Sequence, residues 1–205
     1  MTSVMTAPTA GDSRAALRAL ACGRPVVGVD DVYGGGCDLM LLAECADVLS
    51  IASMVRLGSG LLFVTVDPDT AVRLHLPPMT WQHSPTGIGR LCVAVDAADG
   101  TTTGISAHDR ATTIRTLASA DATPASFTRP GHVVPVLTGD QWDAPDRSTR
   151  IARLGGVAVG ASDSAPSPSI AFCALTSTFD PTRIATTVED AAALGLPVLL
   201  HSEVF

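Results

Sequence analysis

Apolar and polar positions switch between two periods along this chain, and the switches mark out its elements. Residues 13–22 place Leu17 and Leu20 on one face at helical spacing, with Gly23 behind them as a stop, and predict a short helix. The β-branched run over 25–30 predicts a strand that ends in Asp30 and is followed by Asp31. Gly34, Gly35 and Gly36 then require a loop. Helical spacing returns over 39–45 and 47–57, the second stretch closed by Gly58, Ser59 and Gly60. An apolar strand is expected over 61–66, and a short helix over 69–74 that Pro77 and Pro78 end. Residues 91–95 alternate as a strand, 100–106 form a threonine-rich turn, and 107–119 read as a helix with Asp109 in its first turn, where an acid opposes the helix dipole favourably. Strands over 133–137, 170–175 and 197–201 and helices over 148–154 and 183–194 follow, with a Ser/Pro linker over 162–169. The pattern predicts a polar, disordered tail over 1–11 and one mixed α/β or α+β domain over 12–205, without internal repeats or a Rossmann or P-loop fingerprint.

Composition narrows the chemistry. The chain has 205 residues, 46% of them hydrophobic, which is enough for one sizeable core. A net charge of −7 argues against nucleic-acid and membrane-surface partners, which call for clustered basic residues. No long uncharged apolar run and no signal-peptide pattern is present, so a cytoplasmic, bacterial protein is expected. All 13 basic residues are arginine, asparagine is absent, and Glu44, Glu189 and Glu203 are the only glutamates, a bias that fits a GC-rich genome. Without lysine there is no Schiff-base catalysis and no aldimine with pyridoxal phosphate. The five cysteines are odd in number and lack CxxC spacing, which argues against a zinc site or disulfide framework.

Four stretches carry a resemblance, in order and at matching spacing: GRPVVGVDDVYGGGCDLMLLAE (23–44), RLGSGLLFVTV (56–66), DGTTTGISAHDRATTIRT (99–116) and FTRPGHVVP (127–135). Together with the closing LGLPVLL they resemble the 3,4-dihydroxy-2-butanone 4-phosphate synthase family. The resemblance implies an α+β domain with a mixed sheet flanked by helices, working as a homodimer with sites near the subunit interface. It also implies conversion of ribulose 5-phosphate to dihydroxybutanone phosphate and formate, through magnesium and an enediol. The departures fall on the metal-binding motifs. Val32 to Cys37 replace an acidic loop, the segment around Asp143 to Asp146 replaces a Gly-His-Thr-Glu motif, and Cys173-Ala174 stands where the family has Cys-Glu.

From the motifs that survive, His132 is the candidate proton-transfer group, because an imidazole titrates near neutrality. Asp31 and Asp38 are its candidate catalytic partners. Asp30, Tyr33, Cys37, Thr102, Thr103, Ser106 and Arg129 are the candidate substrate-binding residues. Each has a structural alternative: loop aspartates cap turns, Ser106 before Asp109 is a near capping box, and surface arginine is commonplace. His75, His83, His108 and His201 show no ligand spacing. No metal and no cofactor is expected. The sequence thus predicts a repurposed synthase-fold enzyme, a lyase or an isomerase/cyclase. It would carry out metal-independent acid–base chemistry on a small molecule in bacterial natural-product metabolism. The alternative is a catalytically silent paralogue acting as a ligand-binding or regulatory subunit; a working magnesium-dependent synthase ranks last.

Overall fold

Helix α1 (Ser13–Ala21) begins where the Asp12 carboxylate accepts a hydrogen bond from the Ala15 N–H, a side-chain N-cap. The computed structural model describes residues 12–79, 87–139, 146–162 and 167–205. The expected tail over 1–11 and the middle of the Ser/Pro linker lie outside these residues. Eight strands follow from the sequence: β1 (Val26–Asp30), β2 (Gly36–Leu42), β3 (Leu62–Val66), β4 (Arg90–Leu91), β5 (Val95–Ala97), β6 (Phe127–Leu137), β7 (Ile170–Ala174) and β8 (Val198–Leu200). They form one mixed sheet in the order β4-β6-β3-β7-β2-β1-β8, with β5 also paired to β6.

Helices cover both faces. On one face α2 (Val48–Leu57) and α4 (Ala107–Ala118) bury Ile51, Ile114 and Leu117 against Val27, Leu39, Leu41 and Val64. On the other, α1 and α5 (Arg147–Val159) bury Leu20, Ile151 and Leu154 against Val26, Met40, Phe63 and Phe172. Helices α3 (Pro68–Arg73) and α6 (Val188–Ala192) are short, and each starts at a side-chain cap, Asp67 and Thr187 respectively. This is the expected α+β arrangement.

Two-sided burial explains the main departure from the predicted elements. Residues 39–45 were expected to be helical, yet Gly36–Leu42 is a strand buried at every position. A strand covered on both faces has no polar phase, so its apolar run has no period of two to betray it. The strand expected over 91–95 is split into β4 and β5, while β6 extends back to Phe127 and takes in the Arg-Pro-Gly-His segment. Helix α5 is longer than expected and α6 shorter. The reason for the latter is that Ala185 bridges two strands, its N–H donating to Leu175 O at 2.7 Å and its carbonyl accepting from Cys37 N–H at 3.0 Å. That stretch is therefore extended rather than helical.

Candidate active site at one end of the sheet

Strand directions bring distant residues together. Strand β6 is parallel to β3, β3 antiparallel to β7, and β7 antiparallel to β2, so β6 and β2 run the same way. Val134, Phe63, Phe172 and Met40 form one row across these four strands. His132 and Asp38 each lie two residues before that row, on the same face and at the same end of the sheet. Asp30 lies on the same face of β1, opposite Gly36 and two residues beyond Gly28, the partner of Asp38. Two strands intervene between His132 and Asp38, so three spacings of about 4.8 Å separate their backbones by roughly 14 Å. In the next row along these strands, covered by α1 and α5, Phe63 and Phe172 stack with ring centroids 5.3 Å apart.

His132 is held at one end of this face by Asp96 on β5. The Asp96 carboxylate accepts the His132 backbone N–H at 2.9 Å through Oδ1 and meets Nδ1 at 2.8 Å through Oδ2. A carboxylate is an acceptor, so Nδ1 carries the proton and Nε2 is left with its lone pair. The imidazole side chain keeps 38% of its surface exposed while Asp96 keeps 11%, which leaves the ring accessible and its anchor enclosed. Two glycines make this approach possible. A Cβ at Gly131 would overlap the Val95–Asp96 backbone, and one at Gly104, where φ is +78°, would overlap the Asp96 carboxylate. Asp96 was missed by sequence reasoning; its signal was an acid placed inside the apolar run Val93 to Ala97.

At the other end the aspartates face arginines from α5. Arg150 Nη2 donates to Asp30 Oδ2, and its guanidinium carbon lies 4.6 Å from the centre of the Tyr33 ring. Arg147 Nε donates to Asp38 Oδ2 at 2.6 Å. The glycine triplet serves this arrangement, because a Cβ at Gly35 would overlap the Asp30 carboxylate that also accepts the Tyr33 N–H at 3.0 Å. Burial pushes the Asp30 carboxyl up, but the Tyr33 and Arg150 hydrogen bonds outweigh it and hold its pKa below the usual value. For Asp38, burial wins over Arg147 and the pKa rises to about 6. His201 is packed behind, its Nδ1 3.6 Å from Asp30 Oδ1, and burial drives its pKa down to about 4.

Other candidates take structural positions. The Asp31 carboxylate, expected to be catalytic, accepts the Ser202 N–H at 3.0 Å and its hydroxyl at 2.5 Å, tying the C-terminal turn to β1. Cys37, expected to bind substrate, points to the opposite face with Leu39 and Leu41; burial, with the Asp190 and Asp38 charges, pushes its thiol up to about 12. Arg129 spends its guanidinium on the carbonyls of Pro124, Phe127 and Leu74 and so staples loops together. Thr102 Oγ1 and the Gly104 N–H both donate to Asp109 Oδ2 at 3.0 Å, while Ser106 caps α4. Thr103 is exposed on the same turn. The turn lies beside the histidine, since a Cβ at Gly104 would come within 2.6 Å of His132 Nδ1.

Comparison with known proteins decides the class. The model of the family described as 3,4-dihydroxy-2-butanone 4-phosphate synthase matches residues 14–150. The chain belongs to that family. It is 40% identical over 148 residues to the 3,4-dihydroxy-2-butanone 4-phosphate synthase of Chromobacterium violaceum, covering 69% of this chain and 70% of that one. It is 43% identical over 155 residues to the riboflavin biosynthesis protein RibBA of Salinispora tropica, covering 73% of this chain and 39% of that longer one. A crystal structure of 3,4-dihydroxy-2-butanone 4-phosphate synthase in complex with two magnesium ions superposes with a TM-score of 0.79 at 28% identity, over 94% of each chain.

These relatives overturn the expectation of a repurposed, metal-independent enzyme of natural-product metabolism, and with it the silent-paralogue alternative. Similarity at 40% and above to synthase and riboflavin-pathway chains favours the reading that ranked last. The matched residues 14–150 include both Asp96 and His132. Magnesium takes hard oxygen ligands. Asp30 and Asp38 are the carboxylates at this end of the sheet, and each already carries an arginine. Among the described residues no group of three or more His, Cys, Asp or Glu is placed to hold a metal ion. The described residues as arranged do not fit a magnesium ion. Residues 140–145, including most of the segment aligned with the Gly-His-Thr-Glu motif, lie outside the described residues. Among the described residues no helix is long and apolar enough to cross a membrane.

Proposed function

We propose that this chain is a lyase of riboflavin biosynthesis that converts ribulose 5-phosphate to dihydroxybutanone phosphate and formate. The products together contain every atom of the substrate, so no oxidant or second substrate is required. The observation that carries the reading is the His132–Asp96 pair within a segment that matches the synthase family. His132 Nε2 takes the proton from the carbon beside the ketone, giving the enediol, and returns it after the skeleton rearranges. Asp96 holds the ring in the tautomer that can do this and stabilises the imidazolium formed on the way. As further parts of this proposal, the protein acts in the cytoplasm as a homodimer with its sites near the interface.

Formate release from ribulose 5-phosphate, read with a coupled formate dehydrogenase with and without added magnesium, tests the reading. His132→Gln is expected to lower the rate by roughly 10²–10⁴-fold, the span of a general acid–base contribution. Absence of formate from the wild-type protein under both conditions refutes the proposal.

A further inference from the structure

The first turn of α5 offers no backbone donor to a ligand. The Arg147 and Ser148 N–H groups donate to Gly87 O at 3.0 Å and Ile88 O at 3.1 Å, and the Thr149 N–H is capped by Asp146. Anion recognition at this corner therefore has to come from side chains, and Arg147 is the one placed for it. Its Nε holds Asp38 Oδ2 at 2.6 Å, while its Nη2 is buried without a hydrogen-bond partner. Asp38 Oδ1 on the same pair is also buried and unpartnered. An arginine–carboxylate pair commonly closes two parallel hydrogen bonds. Here only one is closed, leaving a donor and an acceptor side by side. Gly36 adds no side chain over them, and a Cβ there would lie 3.9 Å from Nη2. Buried donors and acceptors of charged groups are costly to leave unmet, so an open pair of this kind points to a ligand that supplies both partners.

We infer that Arg147 is the phosphate-recognition residue of the site. Its Nη2 donates to a phosphate oxygen, Asp38 steers the guanidinium through Nε, and Asp38 Oδ1 accepts a hydroxyl of the same ligand. The inference rests on the proposed reading for the identity of that ligand, ribulose 5-phosphate. A phosphorylated polyhydroxy chain then has its phosphate at Arg147 and its ketone end toward His132.

The test is calorimetric titration of the full chain with inorganic phosphate, beside kinetics with ribulose 5-phosphate. Wild-type protein is expected to bind phosphate, and phosphate to compete with the substrate. Arg147→Gln is expected to weaken phosphate binding and raise KM by roughly ten- to a hundredfold, the loss of one charge-assisted hydrogen bond. Asp38→Asn keeps the guanidinium and should retain phosphate binding within a few-fold. Should Arg147→Gln not fold, the paired change Asp38→Asn/Arg147→Gln removes both buried charges and is read the same way. Phosphate affinity unchanged on losing Arg147, or lowered only as much as by the exposed-residue control Arg153→Gln, overturns the inference. Formate release with unaltered KM in Arg147→Gln sinks this inference alone. Loss of phosphate binding in that variant, with no formate from the wild type, sinks only the catalytic reading.

Discussion

A methyl group at position 104 tests whether His132 depends on Asp96. Gly104 sits at φ +78°, and a Cβ there would overlap Asp96 Oδ2 and approach His132 Nδ1 to 2.6 Å. Restoring ordinary contact distances requires the carboxylate to move by about 1 Å, which stretches its 2.8 and 2.9 Å hydrogen bonds past the range in which they hold. The backbone adds about 1–2 kcal/mol for a side chain in the left-handed region. Each hydrogen bond to the carboxylate is worth about 1.5–3 kcal/mol, part of which water returns because the imidazole is partly exposed. The expected cost of Gly104→Ala is thus about 3–5 kcal/mol, a large share of a typical domain's stability. Thermal denaturation reads that loss. Long-range ¹⁵N–¹H NMR of the histidine ring reads the cause, since the Nδ1-protonated tautomer of His132 should give way to a mixture. Formate release should fall with it. An unaltered ring spectrum in a folded Gly104→Ala protein refutes the claim that Asp96 fixes the tautomer.

Removing the guanidinium in Arg150→Met leaves Asp30 buried beside a neutral side chain, and urea denaturation should show a loss of about 3–5 kcal/mol, much of it regained in Asp30→Asn/Arg150→Met. His201 makes the protein acid-sensitive. Its pKa in the folded state, about 4, lies below its ordinary value near 6.5, so its contribution is complete above pH 6.5 and is lost as pH falls toward 4. The loss amounts to about 3 kcal/mol at roughly 1.4 kcal/mol per unit of pH. Asp38, raised to about 6, works in the opposite sense and stabilises as pH falls through its folded pKa. In the wild type the two largely offset between pH 6 and 4, so denaturation of His201→Leu across pH 4–7 should show its stability rising relative to the wild type by up to about 3 kcal/mol on acidification; parallel curves refute the assignment. Iodoacetamide at pH 8 should leave Cys37 unmodified in the folded protein, as mass spectrometry of digests can check, because its thiol is raised to about 12 and turned into the core.

Local signals were legible where one residue type decides a conformation. Asp12, Asp47, Asp67 and Ser106 each cap the helix they precede, and such acids and hydroxyls ahead of an apolar period mark a helix start on sight. The motif with His132 was legible as well. Its partner was not, because Asp96 and His132 stand 36 residues apart and meet only through the pairing of β5 with β6. The sequence leaves the arginines of α5 open between pairing with a carboxylate or phosphate and lying at the surface, since nothing in it announces that Arg147 and Arg150 reach back to β1 and β2 across more than a hundred positions. Strand β2 was hidden for a different reason. A segment buried on both sides has no polar phase, and Asp38 within it looked like one more loop acid rather than a charge inserted into a sheet.

The stacked Phe63 and Phe172 act as a gauge block. They belong to β3 and β7, the two strands that separate β6 from β2, so the distance between the two ends of the site is set by backbone hydrogen bonding rather than by any side chain. A trimmed phenylalanine opens a void under α1 and α5 but leaves the ends where they were. Length selectivity in this protein is accordingly a property of strand count. A ligand one carbon too short loses one of its two anchors however well it fits the other, and changing the preferred length means rebuilding the sheet.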